Sequence, residues 1–382
     1  MVVCFTCGPE TKAALDRLVA SGHYPDHSAA ITSAIDNLAV IHSELKGATS
    51  IVIDREAAAS VGEMGKPSLE RDIPTPSTTT PVMNDLTSRT IVGSGIPALL
   101  QYRQESAVPN RPFAKVDADR APTSKSLSVD NWMFGQFNRL LPAKVTCRAL
   151  ATILAQDGDR QPLDKVAFDI ANDAAKFGSY LTQLDERRNL GRDDAMAIAF
   201  PKGTAPSEHK SIQRFASQFV GATNKEGELS GLPYSLKLIG PHPEFKQGIA
   251  LTEAGWNFSA LSNPVLDGVA APSTLKFSDE EINFLTQHVL HNVPVEALAY
   301  RTILNAVAEG VLTPDDLDVA LAKLSGAKKV EKSFVSTQRS GAICRMADLD
   351  LIGRSRTGTR VSYVISPRGE EYREILNNRF SV

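Results

Sequence analysis

The stretch from 47 to 125 divides this chain and limits what can lie on either side. It holds eight of the 22 prolines, several of them in "GKPSLERDIPTPSTTTPVMND", and no apolar period in it survives more than a turn. A segment so poor in apolar residues cannot offset the entropy lost on ordering it. The composition predicts a linker, extended or without fixed structure, with a short helix at "ALLQYRQE". Before it stands a unit of 46 residues. After it lies enough chain for one or two domains.

The 382 residues are 42% hydrophobic, enough for sizeable cores, and the net charge of −3 excludes a uniformly basic nucleic-acid coat. A basic face on an acidic body is still open. Four cysteines do not make a disulfide framework. No apolar run approaches the roughly 18 residues that span a bilayer, and no basic n-region with an apolar h-region opens the chain. The expectation is a cytoplasmic protein with no membrane partner.

From "DNWMFGQFNRLLPAKVTCRALATILA" onward the chain reads as globular. Pro142 suits a first helical turn, with Val145, Ala149, Leu150 and Ile153 on one face. "PLDKVAFDIAND" and "AKFGSYLTQLDERRN" read as two further helices, and "SEHKSIQRFASQFVG" as a fourth. "YSLKLIG" and "QGIALTEAGWNF" are short β-rich runs. Residues 262–276 look like a connector. Ser278 and Glu281 then stand in capping-box spacing. Gly310 stops the next helix, and Thr313-Pro314 opens another with two Asp in its first turn. "STQRSGAICRMADLDLIG" is a helix with Ile343, Met346 and Leu349 inward, followed by a hairpin around Thr357-Gly358. Both globular stretches end in the same pattern: an apolar residue, Thr252 or Ser366 as a cap, a Gly three residues on, then Phe258 or Tyr372. A degenerate internal repeat is expected, in which "SIQRFA" and "STQRSG" occupy similar places.

The first 46 residues carry an alternating strand, a turn, a helix, a Gly-containing loop and a Ser that opens a second helix: "CFTCGPETKAALDRLVASGHYPDHSAAITSAIDNL". This order resembles the ribbon-helix-helix family of DNA-binding domains. The resemblance implies an intertwined homodimer, because the unit has too little core to stand alone, and a two-stranded ribbon in the major groove. Val2, Cys4 and Thr6 would then face the DNA, and Ser28 would help hold a phosphate at the second helix's start. None of the three ribbon residues is a bidentate base reader, so a plain dimerisation clasp is the alternative.

Residues 278–378 resemble the winged-helix superfamily in "VSTQRSGAICRMADLDLIGRSRTGTRVSYVISPRGEEY", a polar helix followed by a hairpin that returns to Ser-x-x-Gly. Residues 131–262 are a candidate for a second, degenerate copy. The loop "SGAKKVEKSF" is longer than the family's usual turn. From 327 to 382 there are 11 Lys and Arg against 6 Asp and Glu, a net of +5, so the other 326 residues carry −8. The winged-helix resemblance implies that Lys328, Lys329 and Lys332 precede the recognition helix. Ser336, Gln338, Arg339 and Arg345 would lie on its outward face, and Arg354, Arg356 and Arg360 on the wing, facing phosphates. A solvated basic face on a protein-binding winged helix is the alternative.

Other chemistry finds little support. Cys4-x-x-Cys7 lacks two further ligands nearby, and in a strand its members point to opposite faces. The seven histidines make no metal-binding spacing, His288 and His291 reading as a helix-end pair. No phosphate-cradling or nucleophile motif is in context. The expectations are therefore a mainly α chain with short β elements and no enzyme activity, cofactor or metal. The domains would be a ribbon-helix-helix over 1–46, a linker over 47–125, a helical winged-helix-like domain over 126–262 and a winged helix over 277–382. Double-stranded DNA and a second copy of the chain would be the partners. The function would be transcriptional regulation, with a plasmid-partition or replication-origin role and a protein–protein adaptor as alternatives.

Overall fold

The computed structural model describes residues 12, 16, 19, 20, 27, 96–101, 112–116, 128–191, 194–201, 208–224, 227–267, 276–324, 331–358 and 360–381. The chain divides into two units, Met1–Ser94 and Gly95–Val382. In the first, the described residues are helical, and Asp16 receives Lys12 Nζ at 3.1 Å and pairs with His27 Nε2 at 2.8 Å. Val2, Cys4, Thr6, Cys7 and Ser28 lie outside the described residues, as does all of the linker reading before residue 96.

The second unit is mainly helical with short two-stranded antiparallel sheets. It begins earlier than the linker reading allows. Helix α1 (Ala98–Gln101) falls within the segment expected to be helical, and Ile96 and Leu100 are buried. The Ala114 N–H donates to Leu251 O at 2.9 Å. These few apolar residues find a ready-made core, which composition averaged over 79 residues conceals.

Two lobes follow one plan. In the first, α2 (Leu141–Asp157) leads to Pro162, which bridges to Gly248. Then come α3 (Leu163–Arg187) and α4 (Glu208–Phe215), the latter continued by a π-helical turn over Ala216–Val220. The sequence reading split α3 at Asp173-Ala174, yet neither residue breaks a helix and the buried face runs on through Phe177 and Leu181. Strands β1 (Ala222–Thr223) and β2 (Leu229–Ser230) and helix α5 (Leu232–Ser235) precede the hairpin of β3 (Ile239–Pro241) and β4 (Ile249–Leu251), which feeds α6 (Glu253–Ala260).

In the second lobe, α7 (Asp279–Asn292) starts with the expected Ser278–Glu281 capping box. Next is α8 (Pro294–Ala308), then Leu312, whose carbonyl accepts from Tyr363 N at 2.9 Å. Helices α9 (Pro314–Ala322, capped by Thr313) and α10 (Lys332–Asp348) lead to the hairpin of β5 (Ile352–Thr357) and β6 (Arg360–Ile365), then to α11 (Pro367–Arg379).

The ends of the lobes correspond atom for atom. Lys237 and Asp350 both take left-handed backbone, at φ 58° and 55°. The N–H groups of Thr252 and Ser366 donate to Leu238 O and Leu351 O, at 3.0 and 3.2 Å. Their hydroxyls then accept from Gly255 N and Gly369 N, at 3.0 and 2.9 Å. A Cβ on either glycine would lie 1.9 Å from that same leucine carbonyl oxygen. Phe258 and Tyr372 are both buried one turn on. The repeat is thus present in three dimensions. Because each hydroxyl satisfies an otherwise orphan helix N–H, Thr252→Ala and Ser366→Ala should each cost about 1 kcal/mol in urea unfolding. A loss at one site with none at the other would separate the two caps.

The lobes share one continuous hydrophobic core, and buried charges tie them together. Lys144 of α2 pairs with Glu281 of α7 at 2.9 Å, both side chains fully buried. Asp348 of α10 receives Arg139 Nη1 at 3.3 Å, Lys276 Nζ at 3.1 Å and the Leu140 N–H at 2.8 Å. The expected boundary near 262–277 is therefore not a boundary in packing. Burial pulls the Lys144 ammonium down to about 8, against the attraction of Glu281.

Candidate functional site

The winged-helix resemblance implies that α10 turns Gln338, Arg339 and Arg345 outward. All three are instead internal. Arg345 is fully buried: its Nε and Nη2 donate to Glu296 at 2.6 and 3.0 Å, and its Nη1 to Phe137 O. Arg339 donates through Nε to Asp318 at 2.6 Å and through Nη1 to the Tyr363 hydroxyl at 2.6 Å. Gln338 Nε2 reaches Trp132 O at 3.3 Å. Burial alone would lower both guanidiniums. The paired Asp318 and Glu296 outweigh it and hold them above their ordinary value.

The physical reason lies outside the helix. Residues 128–140 wrap α10 over Gln338 and Arg345, and Asp318 of α9 with Tyr363 of β6 covers Arg339. Gly135 makes this possible: a Cβ there would lie 2.2 Å from Thr337 O, and one on Gly341 would lie 2.3 Å from Gly135 O. Two backbones touch at this crossing. What α10 leaves accessible is small and polar. Lys332, Ser333 and Ser340 are exposed, and Ser336 and Thr337 are half-buried. Lys332 stands 3.9 Å from Asp315 in an exposed pair.

Ser336, Thr337 and Ser340 form one wall of a groove of about 670 Å³. Ser336, Thr337 and Ser340 face Ser211, Arg214 and Gln218 of α4 and its π-helical extension, and Gly135, Gln136 and Asn138 lie between. The two helices that carry "SIQR" and "STQR" therefore meet at one site. Gln218 Nε2 donates to Gln136 Oε1 at 2.9 Å across the groove. The floor holds Phe200, Phe215 and Phe219, which are buried and stacked or tilted at centroid distances of 5.7 and 5.4 Å. Sequence reasoning left "KSIQR", which ends in Arg214, between a reading role and plain surface, and missed Gln218, Gln136 and Asn138 as site residues. The repeated Ser-x-Gln-Arg was the available signal.

The second feature is the β5–β6 hairpin. Thr357 pairs with Arg360 next to a turn in which Gly358 has φ 63°. Arg356 and Arg360 are exposed, and Arg354 is half-buried with its Nη2 donating to Cys344 Sγ at 3.0 Å. Cys344 lies one turn beyond Ser340 on α10, so this contact joins the hairpin to the groove wall. Lys328 and Lys329 lie outside the described residues.

Among the described residues, Cys147 and His288 are held internally. Burial pushes the Cys147 thiol up to about 12, which keeps it from being a thiolate near neutral pH. His288 Nε2 lies 2.7 Å from Leu236 O, so that nitrogen carries the proton, and burial lowers the ring below its ordinary value. Among the described residues no group of three or more His, Cys, Asp or Glu side chains is placed to hold a metal ion, and no helix is long and apolar enough to cross a membrane. Comparison with family models, curated proteins and solved structures found no match to this chain.

Proposed function

We propose that this chain is a double-stranded-DNA-binding protein that acts as a dimeric transcriptional regulator. Each lobe of Gly95–Val382 serves as a winged-helix-like module, β5–β6 is the wing, and residues 1–46 make the homodimer. The observation that carries this reading is the exposed hairpin with Arg356 and Arg360 beside its turn and Arg354 at its root. Guanidiniums on a narrow ribbon can neutralise phosphates on both sides of a groove. The repeated order of helix, bridging residue, two helices and hairpin supports the reading. With Gln338, Arg339 and Arg345 internal, base contacts fall to Lys332 and Ser333, which are exposed at the start of α10.

Arg356→Ala should weaken binding to selected and scrambled duplexes by the same factor and lower the salt slope by about one. Titrations at several salt concentrations measure both. An unchanged slope and affinity would remove the hairpin from the interface.

The burial of the three expected reading residues favours a second reading, a protein–protein adaptor that uses the same lobes. It predicts no salt-dependent DNA binding by the intact chain, so the same titrations separate the two.

A further inference from the structure

We propose that the groove between α4 and α10 binds a small phosphomonoester with a hydrogen-bonding body, of the class of nucleoside monophosphates and sugar phosphates. This goes beyond the DNA reading and does not rest on it. Size comes first. About 670 Å³ is within the range of small-molecule sites and leaves room for a ligand of one or two rings.

Charge narrows the class. Among the described residues that line the groove, Arg214 is the one charged side chain and none is a carboxylate. Among the described residues none with a carboxylate lies within ion-pair distance of Arg214. A planar guanidinium without a carboxylate partner matches one phosphate bidentately. A nucleic-acid strand or an anionic membrane surface calls for several cations along its path, and the described lining residues supply one.

The neutral lining fixes the rest of the ligand. Hydroxyls of Ser336, Thr337 and Ser340 line it; Thr337 Oγ1 already donates to Ser333 O and keeps acceptor capacity, and Ser336 Oγ accepts from Arg339 Nη2 and keeps its own proton to donate. Three amides, from Gln136, Asn138 and Gln218, add further donors and acceptors. An apolar ligand would strip water from these groups and return nothing, which is costly. Ring hydroxyls or the edge of a heterocycle would satisfy them. The stacked phenylalanine floor is buried and packed, so the site is preformed rather than assembled on binding. Both helices contribute, so a bound ligand would bridge the two lobes.

The test is calorimetric titration of the full-length chain with adenosine and guanosine monophosphates, ribose 5-phosphate, glucose 6-phosphate, the unphosphorylated parent of each, and inorganic phosphate. The expected result is saturable one-to-one binding of at least one ester. Its parent and inorganic phosphate should each bind about tenfold more weakly or worse, the scale of one charge-assisted contact. The nucleotide and sugar arms tell which body is recognised. Arg214→Gln should weaken the ester about tenfold or more and leave the parent's binding unchanged. Ser340→Phe, a change at an exposed position that fills the groove, should abolish both. No binding by any ester at millimolar concentration would overturn the proposal. So would inorganic phosphate binding as tightly as every ester, or ester binding that survives Arg214→Gln or Ser340→Phe.

Discussion

Arg345→Leu is expected to lower the stability of the protein by about 3–5 kcal/mol, the usual cost of stranding one member of a buried ion pair. Arg345 and Glu296 are both fully inaccessible, and the guanidinium also satisfies Phe137 O. Removing it leaves a carboxylate with no water and no cation, and a carbonyl with no donor. The pair itself contributes far less than that loss, because taking two charges out of water consumes most of their attraction. The double variant Arg345→Leu with Glu296→Leu should therefore recover much of the deficit. Guanidinium unfolding of the wild type, both singles and the double gives the coupling directly. A single-variant loss under about 1 kcal/mol would mean that water reaches the pair.

Gly341→Val is expected to have an effect of similar size by another route. Its Cβ would meet Gly135 O at 2.3 Å and Gly135 Cα at 2.6 Å, where neither backbone can turn aside. The crossing must open, and with it the contacts of residues 128–140 around α10. Overpacking in a core costs about 1–3 kcal/mol when side chains can adjust. Here the obstruction is main chain on both sides, which puts the cost at or above the top of that range. Gly135→Ala should behave alike, since its Cβ would fall 2.2 Å from Thr337 O. Thermal melts of both variants check this. A melting temperature unchanged in both would show that the crossing is looser than its distances imply.

Much of the local structure was legible in sequence because its causes are local. The Ser278–Glu281 capping box, the Thr313 and Ser366 caps, Pro142 in the first turn of α2 and the Thr357-Gly358 turn all act over four residues or fewer. The burial of Arg339 and Arg345 was not legible, because their partners lie 21 and 49 residues away. A hint was present. Glu296 sits inside the apolar run "VPVEALAYRTIL", and Lys144 and Arg148 inside "LLPAKVTCRALATIL". Charges embedded in such runs point to partners elsewhere in the chain. The repeated Leu-x-Leu-Ile-Gly at 236–240 and 349–353 likewise marked equivalent hairpin starts. The groove depends on a segment folding back over a helix 200 residues later, and nothing in its own composition announces that.

The charge ties between lobes bear on what a protease would leave behind. A cut anywhere between Asp267 and Lys276 would sever the covalent link, yet Glu281 and Asp348 would remain on one fragment and Lys144 and Arg139 on the other. The first piece alone would hold Lys144 and Arg139 without their carboxylates, and the second would hold Glu281 without Lys144 and Asp348 with Lys276 alone, each facing an open apolar surface. Together they restore every pair. A nicked molecule should therefore run as a single species in native gels, and its halves, produced separately, should be insoluble alone and recover native spectra on mixing.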